Sequence, residues 1–591
     1  MIKGGGFLIT NQEAKNIFIP EDFSEDQLMM ASATKEFVAK ELDAHRERFE
    51  KKDYKLTEEC MKKAGELGLL GISIPIEYGG MGMPFSSSVL ICDKISGANG
   101  SFSTAFGAHT GIGTLPILLY GNKEQKEKYL PKLASGEWIG CYCLTEPGAG
   151  SDANSGKTKA VLTDDKKSYL ITGQKIWISN AGFADVFIVF ARIKDDKNIT
   201  SFIIDKATEG ITLGEEEHKL GLHSSSTRQV FLNEVKVSTE NMLGGRGNGF
   251  KIAMNALNVG RIKLSAAILD ACRRVINLST KYSNERIQFG VPISNFGTIK
   301  YKLADMAVRT YAIESATYRA SNDIEENILR LESEGLDKQT SYLKGIEEYA
   351  IECSITKVLG SETIQYCSDE GIQIYGGMGY SADTPMEAAY RDARIARIYE
   401  GTNEINRMLL VGMILKKAMK GELDIMTPAL KIASNLMSIP SFEKADKDTL
   451  FAVEKEHLKK LKKVFLMTAG KAAQHYAMDI EKEQEILMNL ADIVINIYAA
   501  ESSILRSEKL ALRDGEEKTK SQITMSKLVL YKAIQESNQA AKEVILSFAE
   551  GDEQIILLRG LKRFTKGYTI NPKKLRREIA DKLIEENQYC F

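Results

Sequence analysis

Cysteine, histidine and strong net charge are what this sequence has little of. Eight cysteines are spread through 591 residues, at Cys60, Cys92, Cys141, Cys143, Cys272, Cys353, Cys367 and Cys590, and none forms a CxxC pair. Cys141 and Cys143 stand two residues apart, which on a strand places both thiols on one face, poor geometry for a disulfide. All eight are therefore read as reduced thiols, in keeping with a cytoplasmic chain. The six histidines have no partners at metal-ligand spacing, so no metal site is expected. A net charge of −2 leaves no basic footprint for nucleic acid and no acidic tail. No run reads as long and apolar enough to span a membrane. The opening stretch, MIKGGGFLITNQEAKN, has neither the apolar core of a signal peptide nor the Arg-rich, acid-poor pattern of a transit peptide.

What is present is the composition of a soluble globular protein, 43% hydrophobic and 27% charged. The length suits about four domain-sized units. After an N-terminal segment, 1–25, a helical domain covers 26–138, where DQLMMASATKEFVAKELDA and TEECMKKAGELGLL repeat apolar residues every three to four positions. Over 139–245 the pattern changes to short runs rich in Val, Ile and Phe, such as ADVFIVFARI and RQVFLNEVKV, separated by polar turns, which marks a β domain. GGRGNGF, Gly244 to Phe250, is spaced GxGxG and has no βαβ pattern around it, so it reads as a domain junction rather than a dinucleotide loop. Helical periodicity returns over 246–420. A linker, 421–447, contains SIPSFEKADK, and a C-terminal helical domain fills 448–591. The expected fold class is mainly α with a β-barrel-like middle domain: helices, β, a helical bundle, and an extra helical domain. YGGMGM at Tyr78 and YGGMGY at Tyr375 are too short for a repeat and read as glycine turns.

Five stretches carry chemistry. In CYCLTEPGAGSDANS, Cys141 to Ser155, a strand runs into a turn of small residues, either a close approach to a ligand or only a tight turn. ITGQKIWISNAG, Ile171 to Gly182, is a second strand; Trp177 in it either packs in the core or covers a flat aromatic cofactor. NERIQFGVPISNFG, Asn284 to Gly297, places Arg286, Phe289 and Phe296 among glycines, where an Arg is either solvated or grips phosphate. DEGIQIYGGMGY, Asp369 to Tyr380, breaks a helical pattern with Gly376, Gly377 and Gly379. RIYEGTNEINR, Arg397 to Arg407, holds two carboxylates, Glu400 before Gly401-Thr402 and Glu404 after, with Thr402 as a helix N-cap.

These motifs, in this order on a helix-β-helix background, resemble the acyl-CoA dehydrogenase family of flavoproteins over roughly residues 26 to 415. LNVGRIKLSAA, Leu257 to Ala267, and the extra helices after 420 are similar to the very-long-chain branch of that family. The resemblance implies an FAD enzyme that oxidises a long-chain fatty acyl-CoA to a trans-2-enoyl-CoA in fatty acid β-oxidation and passes the electrons to electron-transfer flavoprotein. It assigns the catalytic base to Glu400. Some members carry the base beside the position of Arg261, but Gly260 there has no carboxylate.

By the same resemblance, Tyr142, Leu144, Thr145, Gly150 and Ser151, with Trp177, Ile178 and Ser179, contact the flavin. Arg286, Gln288, Phe289 and Phe296, and then Gln373, Gly376 and Gly377, reach the FAD of a neighbouring subunit. Thr402, Asn403 and Glu404 line its adenine end. Ser151, Asn258, Arg261, Tyr399 and Gly401 fall to the substrate. Loops acting across subunits imply a homo-oligomer, expected as a homodimer, in a bacterial cytoplasm. Burial of Glu400 would raise its pKa and the helix start after it would lower it; the sequence leaves the balance open. LKKLKK, Leu458 to Lys463, is either a solvated helix face or a weak membrane-surface contact. Two other readings use the same fold: an acyl-CoA oxidase, and an assembly or scaffold protein without turnover.

Overall fold

A computed structural model describes residues 2–436 and 449–591. SIPSFEKADK in the expected linker lies outside the described residues.

Helix ends follow local side-chain chemistry. Ser24 starts Glu25–Phe37 with a capping box, its hydroxyl accepting from Gln27 N–H while the Gln27 side chain accepts from Ser24 N–H. Asn122 caps Lys123–Ser135 in the same way, and Gly136, at φ 76°, ends it in the left-handed conformation. Both YGGMG stretches are turns: Gly79 and Gly82 in the first, and Gly376 in the second, have positive φ.

The middle of the chain is a mixed sheet with strands β1 Gly140–Cys143, β2 Lys159–Leu162, β3 Ser168–Ser179, β4 Val186–Ile193, β5 Thr200–Asp205, β6 Ile211–Glu216, β7 Thr227–Ser238 and β8 Met242–Leu243. The hydrogen-bonded order is β6-β7-β3-β2-β4-β5-β8, with β1 parallel to β4. The sheet encloses its own core, which includes Cys141, Cys143, Phe187, Phe202 and Val230. Cys141 and Cys143 do share a face, Sγ to Sγ 3.9 Å, and no disulfide joins them.

The long helices Gly249–Glu285, Gly297–Ser333 and Ala350–Tyr375 form the bundle beneath the sheet. Against the expectation from sequence, one helix among the described residues, Gly249–Glu285, is long and apolar enough to cross a membrane. Its apolar window is 72% buried inside the protein, so that hydrophobicity belongs to the core of the bundle.

Two further helices, Gln484–Asp514 and Lys520–Phe548, pack against the bundle, and a third, Ala452–Tyr476, packs on those two. LKKLKK lies on Ala452–Tyr476 and is not simply a solvated face. Leu458, Leu461 and Lys462 are buried, and the Lys462 ammonium sits 2.6 Å from Glu501. The N-terminal segment threads between the bundle and these helices. Gly5 N–H donates to Glu352 (2.8 Å), Lys462 donates to the Thr10 carbonyl (2.9 Å), and Arg506 pairs with Glu21 (2.5 Å).

Candidate active site

The site is organised around the turn at Glu400. Glu400 and Gly401 have φ of 58° and 80°, both left-handed. Glycine adopts this freely, whereas glutamate does so at a cost of roughly 1 kcal/mol or more, so the surroundings must hold it. The Asn406 amide donates to the carbonyls of Gly401 (2.9 Å) and Thr402 (3.0 Å) and more distantly to that of Glu400. The Lys357 ammonium, on the buried face of Ala350–Tyr375, donates to the Gly401 carbonyl and to Asn403 Oδ1, both at 2.7 Å. Arg261 reaches the Glu400 carbonyl at 3.4 Å and is itself held by Asn258 at 2.7 Å. Thr402 then caps the helix Asn403–Met419 by accepting from Ile405 N–H.

The Glu400 carboxyl points away from these donors. Its Oε2 is buried and has no hydrogen-bond partner. It rests on Gly260: a Cβ built at that glycine would stand 2.4 Å from Oε2, so any larger residue there would displace the carboxyl. Burial pushes the Glu400 carboxyl up to about 7, against the opposing pull of Arg261 and Lys357. Desolvation therefore outweighs the helix start. Burial likewise brings Lys357 down to about 7. Glu404, four residues on, is exposed, and a backbone hydrogen bond together with Thr402 and Arg407 holds it below the usual carboxylate range. The two glutamates thus differ in kind.

From Glu400 a cavity of about 400 Å³ runs into the protein. One wall is the helix Gly249–Glu285, contributing residues from Gly260 through Leu264, Ala267 and Ala271 to Leu278. The opposite wall is the segment from Pro385 through Ala389 and Ala396 to Tyr399. Gly260 and Leu278 are five turns apart, roughly 27 Å at the rise of an α-helix.

The expected site residues fall into two groups. Tyr142 and Leu144 are buried at the end of β1, where burial first and the nearby Glu400 second disfavour ionisation of the Tyr142 hydroxyl, and Ser179 lines the cavity. The Tyr142 hydroxyl is buried without a partner. Thr145, Gly150 and Ser151 lie on the adjoining turn, where Gly148 and Gly150 face open space. Ile178 is buried, but Trp177, on a bulge of β3 at φ 59°, is 55% exposed and does not pack in the core. Tyr142 and Ser179 stand near Glu400, and the turn after β1 and the bulge of β3 that adjoin them in the chain add glycines open to approach and a bare indole face. That set suits a flat, partly polar ligand.

The second group lies elsewhere. Arg286, Gln288 and Phe289 sit on a small exposed hairpin, Phe289 being 94% exposed at φ 52° and set edge-on to Phe296. Gln373, Gly376 and Gly377 are exposed beside it, because Tyr375 stacks on Tyr282 with ring centroids 4.0 Å apart. Arg286 is more than seven helical turns from Gly260, roughly 39 Å, so this group cannot join Glu400 within one chain. Asn403 is buried, its side chain occupied by Lys357, Ser361 and Glu362.

Sequence reasoning missed Lys357 and Asn406, which hold the turn, and the buried pair Glu146–Lys175 (2.6 Å), which ties the PGAG turn to β3. A polar residue inside a helical pattern normally reads as solvated, so nothing marked Lys357. Asn406, four residues after the N-cap, was the one legible signal.

Family models match along the chain: "Acyl-CoA dehydrogenase, N-terminal domain" at 24–137, "middle domain" at 141–235, and "C-terminal domain" at 247–415, with a second C-terminal domain model at 460–563. A "Probable acyl-CoA dehydrogenase" of Bacillus subtilis is 44% identical over 587 residues, covering 99% of this chain and 98% of the relative. The mitochondrial "Very long-chain specific acyl-CoA dehydrogenase" of Rattus norvegicus is 39% identical over 364 residues, 60% of this chain and 53% of that protein. The crystal structure of an acyl-CoA dehydrogenase complexed with FAD from Bacillus anthracis superposes with a TM-score of 0.96 at 43% identity, each chain covered fully (100%). The chain belongs to the acyl-CoA dehydrogenase family, oxidoreductases that act on CH–CH groups.

Proposed function

We propose that this protein is an FAD-dependent dehydrogenase of long-chain fatty acyl-CoA, forming the trans-2-enoyl-CoA in fatty acid β-oxidation with electron-transfer flavoprotein as acceptor. The observation that carries it is the unpaired, buried Glu400 carboxyl at the head of an apolar cavity some five helical turns deep. Glu400 takes the α-proton: its free oxygen faces the cavity, and a value near 7 lets it both accept and later release a proton at neutral pH. The Glu400 N–H makes no hydrogen bond to the protein among the described residues, which leaves it to stabilise charge on the thioester oxygen. Lys357, Asn406 and Arg261 keep that N–H and the carboxyl in register by fixing the carbonyls of the turn. The apolar walls align the acyl chain and exclude water from the carboxyl.

FAD fits the groups around Glu400: Trp177, Ile178 and Ser179 on β3 and Tyr142, Leu144, Thr145, Gly150 and Ser151 at the end of β1 would hold its flavin, with Thr402 and Glu404 further along. Bound there, it supplies the acceptor for the β-hydrogen, taken as hydride. The distant hairpin of Arg286, Gln288, Phe289 and Phe296, with Gln373, Gly376 and Gly377, would complete the cofactor site of a second copy, which makes the enzyme a homodimer. It works in the bacterial cytoplasm. The intact base and its supports speak against a scaffold without turnover.

The test is anaerobic titration of the FAD-loaded protein with acyl-CoAs from butanoyl to long chains. Bleaching of the flavin band is expected to strengthen with chain length. Bleaching by short chains alone would overturn the long-chain assignment, and none by any thioester would overturn the activity. In air, rapid peroxide formation would replace the dehydrogenase with an oxidase.

A further inference from the structure

The cavity does not end in an apolar floor. Its two walls run antiparallel, so the Glu400–Gly260 end is the head and the Pro385–Leu278 end is the tail. Four ionisable side chains line the tail half: Arg46, Glu50, Arg274 and Asp392. Arg46 belongs to the extreme tail, because its guanidinium donates to the Thr384 carbonyl (3.0 Å), next to Pro385. All four are half-buried, so this end is in touch with water.

The charges there are not equally free. Arg274 is gripped by Asp43 through both terminal nitrogens. Glu50 is shared by Arg391 (3.0 Å) and His223 (3.2 Å) through one oxygen, Oε2. Asp392 accepts from Leu222 N–H (2.6 Å) through Oδ1, and Oδ2 has no hydrogen-bond partner among the described residues. Arg46 has no carboxylate within 4 Å among the described residues. The tail therefore offers the remaining N–H groups of Arg46, which no carboxylate claims, and free oxygens on Glu50 and Asp392. Donors and acceptors together suit a neutral group able to play both parts. An ionised carboxylate would gain from Arg46 but be opposed by Glu50, while Asp392, which burial pushes up to about 7, can meet a neutral hydroxyl as donor or acceptor.

We infer that the tail of the cavity is a binding site for the hydroxyl of an ω-hydroxylated long-chain acyl thioester, with Arg46 donating to it and an acidic oxygen of Glu50 or Asp392 accepting from it. This rests on the acyl-CoA reading of the cavity and names a substrate class within it. The same chemistry requires that a class of ω-hydroxylating reaction supply the substrate.

The experiment compares kcat/KM of the FAD-loaded enzyme for docosanoyl-CoA, whose extended chain matches the roughly 27 Å from Gly260 to Leu278, and its ω-hydroxy derivative, and for octanoyl-CoA and its ω-hydroxy derivative, with a dye as electron acceptor. A closed apolar end would penalise the hydroxyl by about 10- to 100-fold. Here the long ω-hydroxy substrate is expected within about threefold of its parent, while the short one, whose hydroxyl stops among Ala267, Ile268 and Ala396, takes the full penalty. Arg46→Met should lower the ω-hydroxy to parent ratio at the long chain by about fivefold or more. An equal penalty at both lengths, an unchanged ratio in R46M, or a preference for the ω-carboxy thioester over the ω-hydroxy one would each overturn the inference. Failure of docosanoyl-CoA itself to react would instead bring down the activity on which it rests.

Discussion

Two regions of this molecule bury charge, and they do it in opposite ways. Where the N-terminal segment and the last helices meet the bundle, buried cations face carboxylates. Arg506 lies 2.5 Å from Glu21 and 2.7 Å from Glu314, and Arg319 lies 2.9 Å from Glu501. At the Glu400 turn the cations Lys357 and Arg261 touch only carbonyls and amide oxygens, and the one carboxyl among them keeps an oxygen free. The consequence shows in where these groups ionise. Burial pulls Arg506 down, yet Glu21 and Glu314 hold it well above its ordinary range, where it never exchanges a proton. Glu400 and Lys357 both come to about 7, where exchange is easy. Pairing fixes a charge for architecture, whereas leaving it unpaired keeps it available for chemistry.

The contrast is broken most severely at Glu400 itself. Glu400→Gln is expected to lower kcat by about 10³- to 10⁴-fold while leaving the FAD absorbance and fold intact. In the unaltered enzyme kcat/KM should rise with pH through about 7, because the base works ionised; a profile flat across that region would refute its role. The linkage has a definite sign. The folded value stands above the ordinary 4.5, so ionising this group costs stability, which falls as pH climbs from there past 7. The glutamine variant should lose that slope.

Next in size is Arg506→Met, which strands Glu21 and takes from Glu314 one of its two cations, leaving it Arg273. Unfolding in urea should come earlier by about 3–5 kcal/mol, with turnover per folded molecule unchanged. An equal loss of turnover would mean that the two regions are coupled. Lys357→Met should be milder in stability and act on the chemistry: kcat lower by roughly 10- to 100-fold with little change in KM, from loss of orientation at the turn. Removing this cation also moves the apparent pKa of Glu400 upward, so the pH profile must shift to the alkaline side. Thr402→Ala completes the series with about 1 kcal/mol from the lost helix cap, read as faster hydrogen exchange in the first turn of Asn403–Met419.

The order of helices, sheet and helices was legible because hydrophobic period changes from near four to two and back, as between TEECMKKAGELGLL and ADVFIVFARI. Glu400 was legible because it stands in a distinctive turn sequence. The depth of the cavity was not, since its walls come from stretches more than a hundred residues apart, Gly260 to Leu278 and Pro385 to Tyr399, and no local pattern joins them. Trp177 was legible in part: the residues left it open between core packing and the cover of a flat cofactor, and the bulge in β3 turns it outward, away from the first reading. Lys462 was not legible, hidden in a basic run though its partner is Glu501.

The threaded N-terminal segment sets a timetable for synthesis. Thr10, Ile17 and Glu21 find their partners Lys462, Lys509 and Arg506 at separations of 452, 492 and 485 residues. At a ribosomal rate of about 5–20 residues per second, those first contacts wait roughly 20–100 s for the other half to emerge. Phe7, Leu8, Ile17 and Ile19, all destined for burial, spend that interval without their cover. Maturation of the whole molecule is therefore gated by its last helices, and the opening twenty residues are where a nascent chain of this kind is most open to chaperones, proteases and its own neighbours on the polysome.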